Sequence, residues 1–261
     1  MTNSESVVFP AVTVPFGGLK VSLTNLQECQ TAFNDLNLIR RSPPQLVVTP
    51  NIAHFHQARR SPDLRAAYAR ADLATPDGWP VVLAMQLLHR DRCARRAVSR
   101  TTGADMIYRL PRGARVLVVG GKKDAAHLAA RHLSMAIGVE ALPSEPAPRE
   151  ELVDRQRVAA LCERVADARP DFIIVGLGVP QQERFALRLL PAIEHGVVLL
   201  VGASVEFAAG YDRRAPKIFR HLGLEWLFRL VRAPRRLVGR YARSAPYFLL
   251  LVFRGLIRGS G

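Results

Sequence analysis

Asp77 stands in the run Ala71-Asp-Leu-Ala-Thr-Pro-Asp-Gly-Trp-Pro80, where a proline fixes the approach, a glycine frees the exit and an apolar stretch follows. A carboxylate held on such a corner is where a general base would be placed. It is equally where an ordinary turn aspartate or a helix N-cap would be placed. Four further clusters directly follow apolar runs: Thr49 and Asn51; Gly120 and Gly121; Gly176, Gly178, Gln181, Gln182 and Glu183; Gly202 and Glu206. Glycines allow a ligand to approach the backbone, and amide groups at a helix start favour phosphate. The chemistry these residue types suit is proton abstraction beside a bound anionic ligand.

The apolar runs read as strands. Gln45–Thr49, Arg115–Gly121, Asp171–Gly178 and Val197–Gly202 are nearly continuous in Val, Ile and Leu. Helical spacing predicts helices over Ser22–Leu38, from Ile52 to about Arg60, and over Lys123–Met135, Glu151–Ala168 and Gln181–Leu190. Apolar strands alternating with helices predict an α/β fold: a Rossmann-like, mostly parallel sheet covered by helices on both faces. Ligands in such sheets sit at the carboxyl ends of the strands, which is where the polar clusters fall. Asp77 follows only the short apolar pair Leu73-Ala74, so its strand-end position is the least well supported.

Other chemistries find little in the chain. Read as G-x-G-x-x-G from Gly120, the glycine turn has lysine at 122 and alanine at 125, so a nicotinamide fingerprint is missing. His54 and His56 point roughly 200° apart on a helix, and no other histidine has ligand spacing, so no protein-built metal site is expected. Cys29, Cys93 and Cys162 are scattered and form no C-x-x-C, which suits a reducing cytoplasm. No G-x-S-x-G occurs.

The 261 residues carry a net charge of +15 and are 49% apolar, enough for a full core. From Arg213 onward, eleven arginines and Lys217 stand against one acid, Glu225, a net +11 that leaves +4 for residues 1–212. Residues 1–221 are therefore read as the α/β core and 222–261 as a basic amphipathic helical appendage. Its longest uncharged run, Ala245–Phe253, falls far short of the roughly 20 residues that span a bilayer. Arginines interleaved with aromatic and aliphatic residues suit a helix pair lying on an anionic membrane surface, or a lid packed on the core with a solvated basic face. A nucleic-acid-binding tail is the alternative that charge alone permits, but it leaves the strand-end motifs without a purpose.

Taken together, Val48-Thr-Pro-Asn51, Ala71–Gly78, Arg100-Thr-Thr-Gly-Ala-Asp105, Leu117–Gly121, Gly176–Glu183, Gly210 with Arg213-Arg-Ala-Pro216, and Gly223–Arg229 resemble the WecG/TagA/CpsF family of bacterial glycosyltransferases. The resemblance runs from about Phe16 to Tyr241. It implies transfer of a hexose-type sugar from a UDP-sugar to a polyprenyl-diphosphate-linked saccharide, inverting, with neither metal nor cofactor, in exopolysaccharide or cell-surface glycan synthesis. It also implies a peripheral location on the inner face of the cytoplasmic membrane, with no nucleic-acid partner. Carried over by motif, Asp77 is the catalytic base, Thr49 and Asn51 lie beside it, and Gln182 contacts the sugar. Gly120, Gly121, Gly176, Gly178, Gln181, Glu183, Gly202 and Glu206 would line the donor. Arg214, Arg229, Arg232 and Arg236 would bind the acceptor's diphosphate. Two departures stand out: Glu206 where the family usually has aspartate, and Pro143–Pro148 where it has a Gly-Tyr-Phe stretch.

Overall fold

The computed structural model describes residue 9 and residues 11–147, 152–212, 215–216, 219, 225–232 and 234–258; the side chains of Arg229, Arg236 and Arg258 are outside that description. The chain opens with an antiparallel hairpin, β1 (Val12–Phe16) and β2 (Leu19–Leu23), turned at Gly17-Gly18. There follow α1 (Leu26–Asn34), α2 (Leu36–Arg41), β3 (Gln45–Val48), α3 (Ile52–Ala58), α4 (Pro62–Arg70), β4 (Leu73–Ala74), α5 (Trp79–Leu88), α6 (Arg90–Ala94) and α7 (Gly103–Met106). The second half contributes β5 (Arg115–Gly120), α8 (Ala125–Ile137), β6 (Glu140–Ala141), α9 (Arg155–Asp167), β7 (Phe172–Gly176), α10 (Gln181–Leu189), β8 (Val197–Leu200) and α11 (Ser204–Ala208). The described C-terminal helices are α12 (Glu225–Arg232) and α13 (Pro234–Arg258).

Six strands form one parallel sheet in the order β4-β3-β8-β7-β5-β6. Side chains alternate across it, as strand geometry requires. Leu46, Val48, Leu117, Val119, Ile173, Val175, Val198 and Leu200 enter one buried cluster, and Val47, Val116, Val118, Phe172, Ile174, Val197 and Leu199 enter the other. With helices over both faces, neither set meets water, so the strands are apolar at every position. This is the α/β, Rossmann-like architecture expected from the alternation of runs and helices. The register aligns Val48 with both Ala74 and Leu200, and Val175 with both Leu200 and Val119. The loops after β3, β4, β5, β7 and β8 therefore leave the sheet along one edge.

The N-terminal helix is shorter than its spacing suggests. Ser22 and Leu23 belong to β2, and the helix begins at Leu26 behind the N-cap Asn25, whose side chain accepts from the Glu28 N–H at 2.9 Å. The strand wins because Val12 to Phe16 offer a partner ladder and because the Ser22 hydroxyl accepts the Ala74 N–H at 2.9 Å, satisfying a donor on the sheet's edge strand. Asp35 then ends α1 and caps α2. Helix α9 starts at Arg155 behind Asp154, whose carboxylate accepts from the Gln156 N–H at 2.8 Å, four residues later than expected.

The C-terminal helix is joined to this body through aromatic packing. Phe248 of α13 is buried and meets Phe16 and Phe55 at 5.5 Å between ring centroids, while Phe16 and Phe55 meet at 5.1 Å. The 221/222 boundary expected for the appendage falls outside the described residues. No helix among the described residues is long and apolar enough to cross a membrane.

Candidate active site

Asp77 lies on a turn tied down from both sides. The Asp77 N–H donates to the Pro50 carbonyl at 3.0 Å, the Thr75 N–H to Val48 at 2.9 Å, and the Thr101 N–H to Pro76 at 3.0 Å. Gly78, the N-cap residue of α5, has φ 112°, which only glycine adopts without strain. The half-buried carboxylate takes a hydrogen bond from Asn51 Nδ2 at 3.4 Å. Asn51 is itself fixed: it caps α3 by accepting the Ala53 N–H at 3.1 Å, and its own N–H donates to His54 Nδ1 at 3.0 Å. That bond places the His54 proton on Nε2. Burial, followed by the Arg240 charge, pushes the His54 pKa down to about 4, so the capping ring stays neutral.

Thr49 does its work next door. Its buried hydroxyl donates to the Leu200 carbonyl at 3.1 Å and ties the end of β3 to the end of β8. On α10, Gln182 and Glu183 are both buried. The Gln182 amide accepts the Gly202 N–H at 3.2 Å and donates to Glu183 Oε1 at 3.0 Å, joining the loops after β7 and β8. Burial raises the Glu183 pKa to about 7, and its Oε2 is buried with no hydrogen-bond partner among the described residues. A first-turn glutamate facing solvent would merely complement the helix dipole; this one is inside the protein. Tyr68, buried behind the site, has its pKa raised by burial and then by the charges of Glu183 and Asp77.

The glycines expected to line a ligand divide into two groups. A Cβ on Gly120 would come within 2.4 Å of Leu177, one on Gly121 within 2.8 Å of Ala125, and one on Gly176 within 2.5 Å of Val205. At these three positions the close neighbour is the protein itself. Gly178 faces open space, and Gly202 faces the Gln182 carbonyl oxygen at 3.8 Å. Gln181 is set apart from Gln182 and lines a separate depression with Asp63 and Arg184. Glu206 lies in the first turn of α11, directly after the β8 loop. Of the arginines assigned to an acceptor diphosphate, Arg214 is outside the described residues, as are the side chains of Arg229 and Arg236. Arg232 is exposed and stacks on Phe228 with its guanidinium 5.6 Å from the ring centre.

Asn51, Asp77 and Gly78 open into a cavity of about 310 Å³, at the small end of the range for ligand pockets. Its other walls are Trp79, Arg100, Glu225, Trp226, Arg240 and Tyr241. Half-buried Arg100 holds Glu225 of α12 at 3.0 Å and Asp105 at 3.6 Å, so one guanidinium ties the C-terminal helix to the Asp77 rim. The cavity thus offers the Asp77 carboxylate on a rigid turn, Arg100 paired with Glu225, a second arginine, Arg240, and an aromatic wall.

The glycosyl transferase WecG/TagA/CpsF family model matches residues 14–261. The chain belongs to that family. It is a glycosyltransferase of cell-surface glycan synthesis, in a family that brings together a sugar donor and a lipid-linked acceptor. This assignment favours the glycosyltransferase reading over a nucleic-acid-binding tail. Sequence reasoning did not single out the transferase's Arg100, Arg240, Trp226 and Tyr241 as site residues. Arg100 and Trp226 were within reach, since they lie in the Arg100–Asp105 and Gly223–Arg229 motifs; Arg240 and Tyr241 were submerged in a basic tail read as a whole.

Proposed function

We propose that this transferase moves a hexose-type sugar from a UDP-sugar to a polyprenyl-diphosphate-linked saccharide, with inversion and without a metal. Exopolysaccharide or another cell-surface glycan is the product, and the work is done on the inner face of the cytoplasmic membrane. The observation that carries the reading is Asp77 on its pinned turn, opening into a pocket that also holds Arg100 and Arg240.

In this reading Asp77 accepts the proton of the acceptor hydroxyl as its oxygen attacks the anomeric carbon, and the bond to the UDP oxygen breaks on the opposite face. A positioned carboxylate base contributes about 10²–10⁴-fold. Asn51 orients that carboxylate through its 3.4 Å contact, and Thr49 keeps the two strand ends in register beneath it. Gln182, whose amide is held by Gly202 and Glu183, is assigned to the sugar. The departing diphosphate carries negative charge, which arginine forks and helix N-termini stabilise without a metal. The glycine-bearing loops with Gly178, Gly202 and Glu206 are assigned to the donor side. The basic segment 222–261, with Arg214, Arg229, Arg232 and Arg236, is assigned to the acceptor's diphosphate and to peripheral contact with anionic lipid.

A panel of UDP-sugars offered with a polyprenyl-diphosphate-linked acceptor tests the proposal, read by UDP release and by the mass of the lipid product. One donor should give stoichiometric UDP and an acceptor heavier by one sugar. Hydrolysis alone, or no turnover with any UDP-sugar, would overturn it.

A further inference from the structure

A second, larger groove of about 810 Å³ lies at the far end of α5. Its floor and walls come from the hairpin turn at Gly17-Gly18, the end of α3, the Leu88-His89 end of α5, and Tyr247, Leu251 and Gly255 of α13. The elements meet closely: a Cβ on Gly255 would sit 2.9 Å from Leu88, and one on Gly17 would sit 2.6 Å from Leu251. Ten residues of helix, about 15 Å, separate this groove from Gly78 and the Asp77 pocket. It is therefore a place apart from the reacting groups.

Its chemistry is basic above and apolar below. Arg59, Arg65 and Arg254 line it, all three exposed, and among the described residues no carboxylate does. Among the described residues none of the three is in an ion pair; Arg65 donates to the Ala58 carbonyl at 2.5 Å, and Arg59 stacks 4.8 Å from the centre of the Tyr247 ring. Nearby His56 has its pKa lowered by burial and then by the charges of Arg59, Arg60 and Arg243. On its outward face, turned largely away from the groove, α13 exposes Leu249, Phe253, Leu256 and Ile257. Immediately before Leu88, α5 exposes Leu87.

We propose that this groove seats the headgroup phosphate of an anionic phospholipid, with Arg59, Arg65 and Arg254 around the phosphate, while the outward apolar face of α13 rests in the bilayer surface. Planar guanidinium forks match phosphate oxygens, and an apolar floor suits the glycerol and the upper chain. The groove would hold the protein on the bilayer in one orientation while the Asp77 pocket, at the other end of α5, remains open to the acceptor. This inference rests on the membrane contact proposed above.

The test is co-sedimentation of the full chain with vesicles of phosphatidylcholine alone, phosphatidylcholine with phosphatidylglycerol, and phosphatidylcholine with a polyprenyl diphosphate. An Arg59→Ala/Arg65→Ala/Arg254→Ala variant is compared with an Arg131→Ala/Arg155→Ala/Arg188→Ala variant, which removes the same charge elsewhere on the surface. At about 1 kcal/mol per arginine at an anionic surface, the groove variant should lose binding to phosphatidylglycerol vesicles on the order of a hundredfold. The control variant should lose far less, and binding to the polyprenyl diphosphate vesicles should survive in both. Equal losses in the two variants would reduce the effect to net charge and overturn the groove. So would undiminished phosphatidylglycerol binding by the groove variant. Loss confined to the polyprenyl diphosphate vesicles would assign the groove to the acceptor instead. Wild-type protein that ignores every vesicle would overturn the membrane reading itself, and this inference with it.

Discussion

Replacing Glu183 by glutamine should uncover a pH dependence of stability that the wild-type protein conceals. Burial raises the Glu183 carboxyl from 4.5 to about 7, so the folded state holds its proton where the unfolded chain has lost it. Stability from this group is present below pH 4.5 and is lost as pH rises to about 7, a change of roughly 3 kcal/mol. His54 acts in the opposite sense. Its pKa falls from 6.5 to about 4, so its contribution is present above pH 6.5 and is lost as pH drops through about 4, again by roughly 3 kcal/mol. The two slopes oppose over nearly the same window. Glu183→Gln removes only the first, so the difference in unfolding free energy, variant minus wild type, should rise by roughly 3 kcal/mol between pH 4.5 and 7. An unpartnered buried amide N–H would lower the variant's stability by about 1–3 kcal/mol at every pH, shifting the level of that difference without changing its slope. Urea unfolding followed by tryptophan fluorescence measures it. A difference that stays constant with pH would refute the reasoning.

Two further substitutions probe the framework around the site. Phe248→Ala empties a position packed against Phe16 and Phe55 and should cost about 3–5 kcal/mol in urea unfolding; a cost near that of a surface change would mean that α13 is not seated on the core. Gly176→Ala drives a methyl group to 2.5 Å from Val205 and should cost about 1–3 kcal/mol. Val205→Ala in the same chain should restore part of that loss, as thermal melts would show.

The parallel sheet was legible because its central strands are buried on both faces. Leu46 to Val48, Val116 to Val119, Phe172 to Val175 and Val197 to Leu200 leave no room for a polar residue. The hairpin was legible only in its first strand and its Gly17-Gly18 turn, because Ser22 and Leu23 also continue the spacing of α1, and only the ladder to Val12 and Thr13 decides between them. Asp77 could be named from its turn, but its strand is two residues long and exists because β3 pairs with it. The burial of Glu183 was hidden for a different reason: polarity in a first helical turn usually signals exposure, whereas here the side chain is buried and held by Gln182. The outer wall of the pocket depends on one long-range ion pair, Arg100 to Glu225, which no local pattern announces.

The proposed chemistry converges on one carboxylate, and Asp77→Asn tests it most directly. Asparagine keeps the shape of the side chain and a carbonyl oxygen for the Asn51 contact, but it cannot take the acceptor's proton. Sugar transfer to the polyprenyl-diphosphate-linked acceptor should fall about 10²–10⁴-fold, with the urea midpoint unchanged. Undiminished transfer by a folded Asp77→Asn protein would contradict the account.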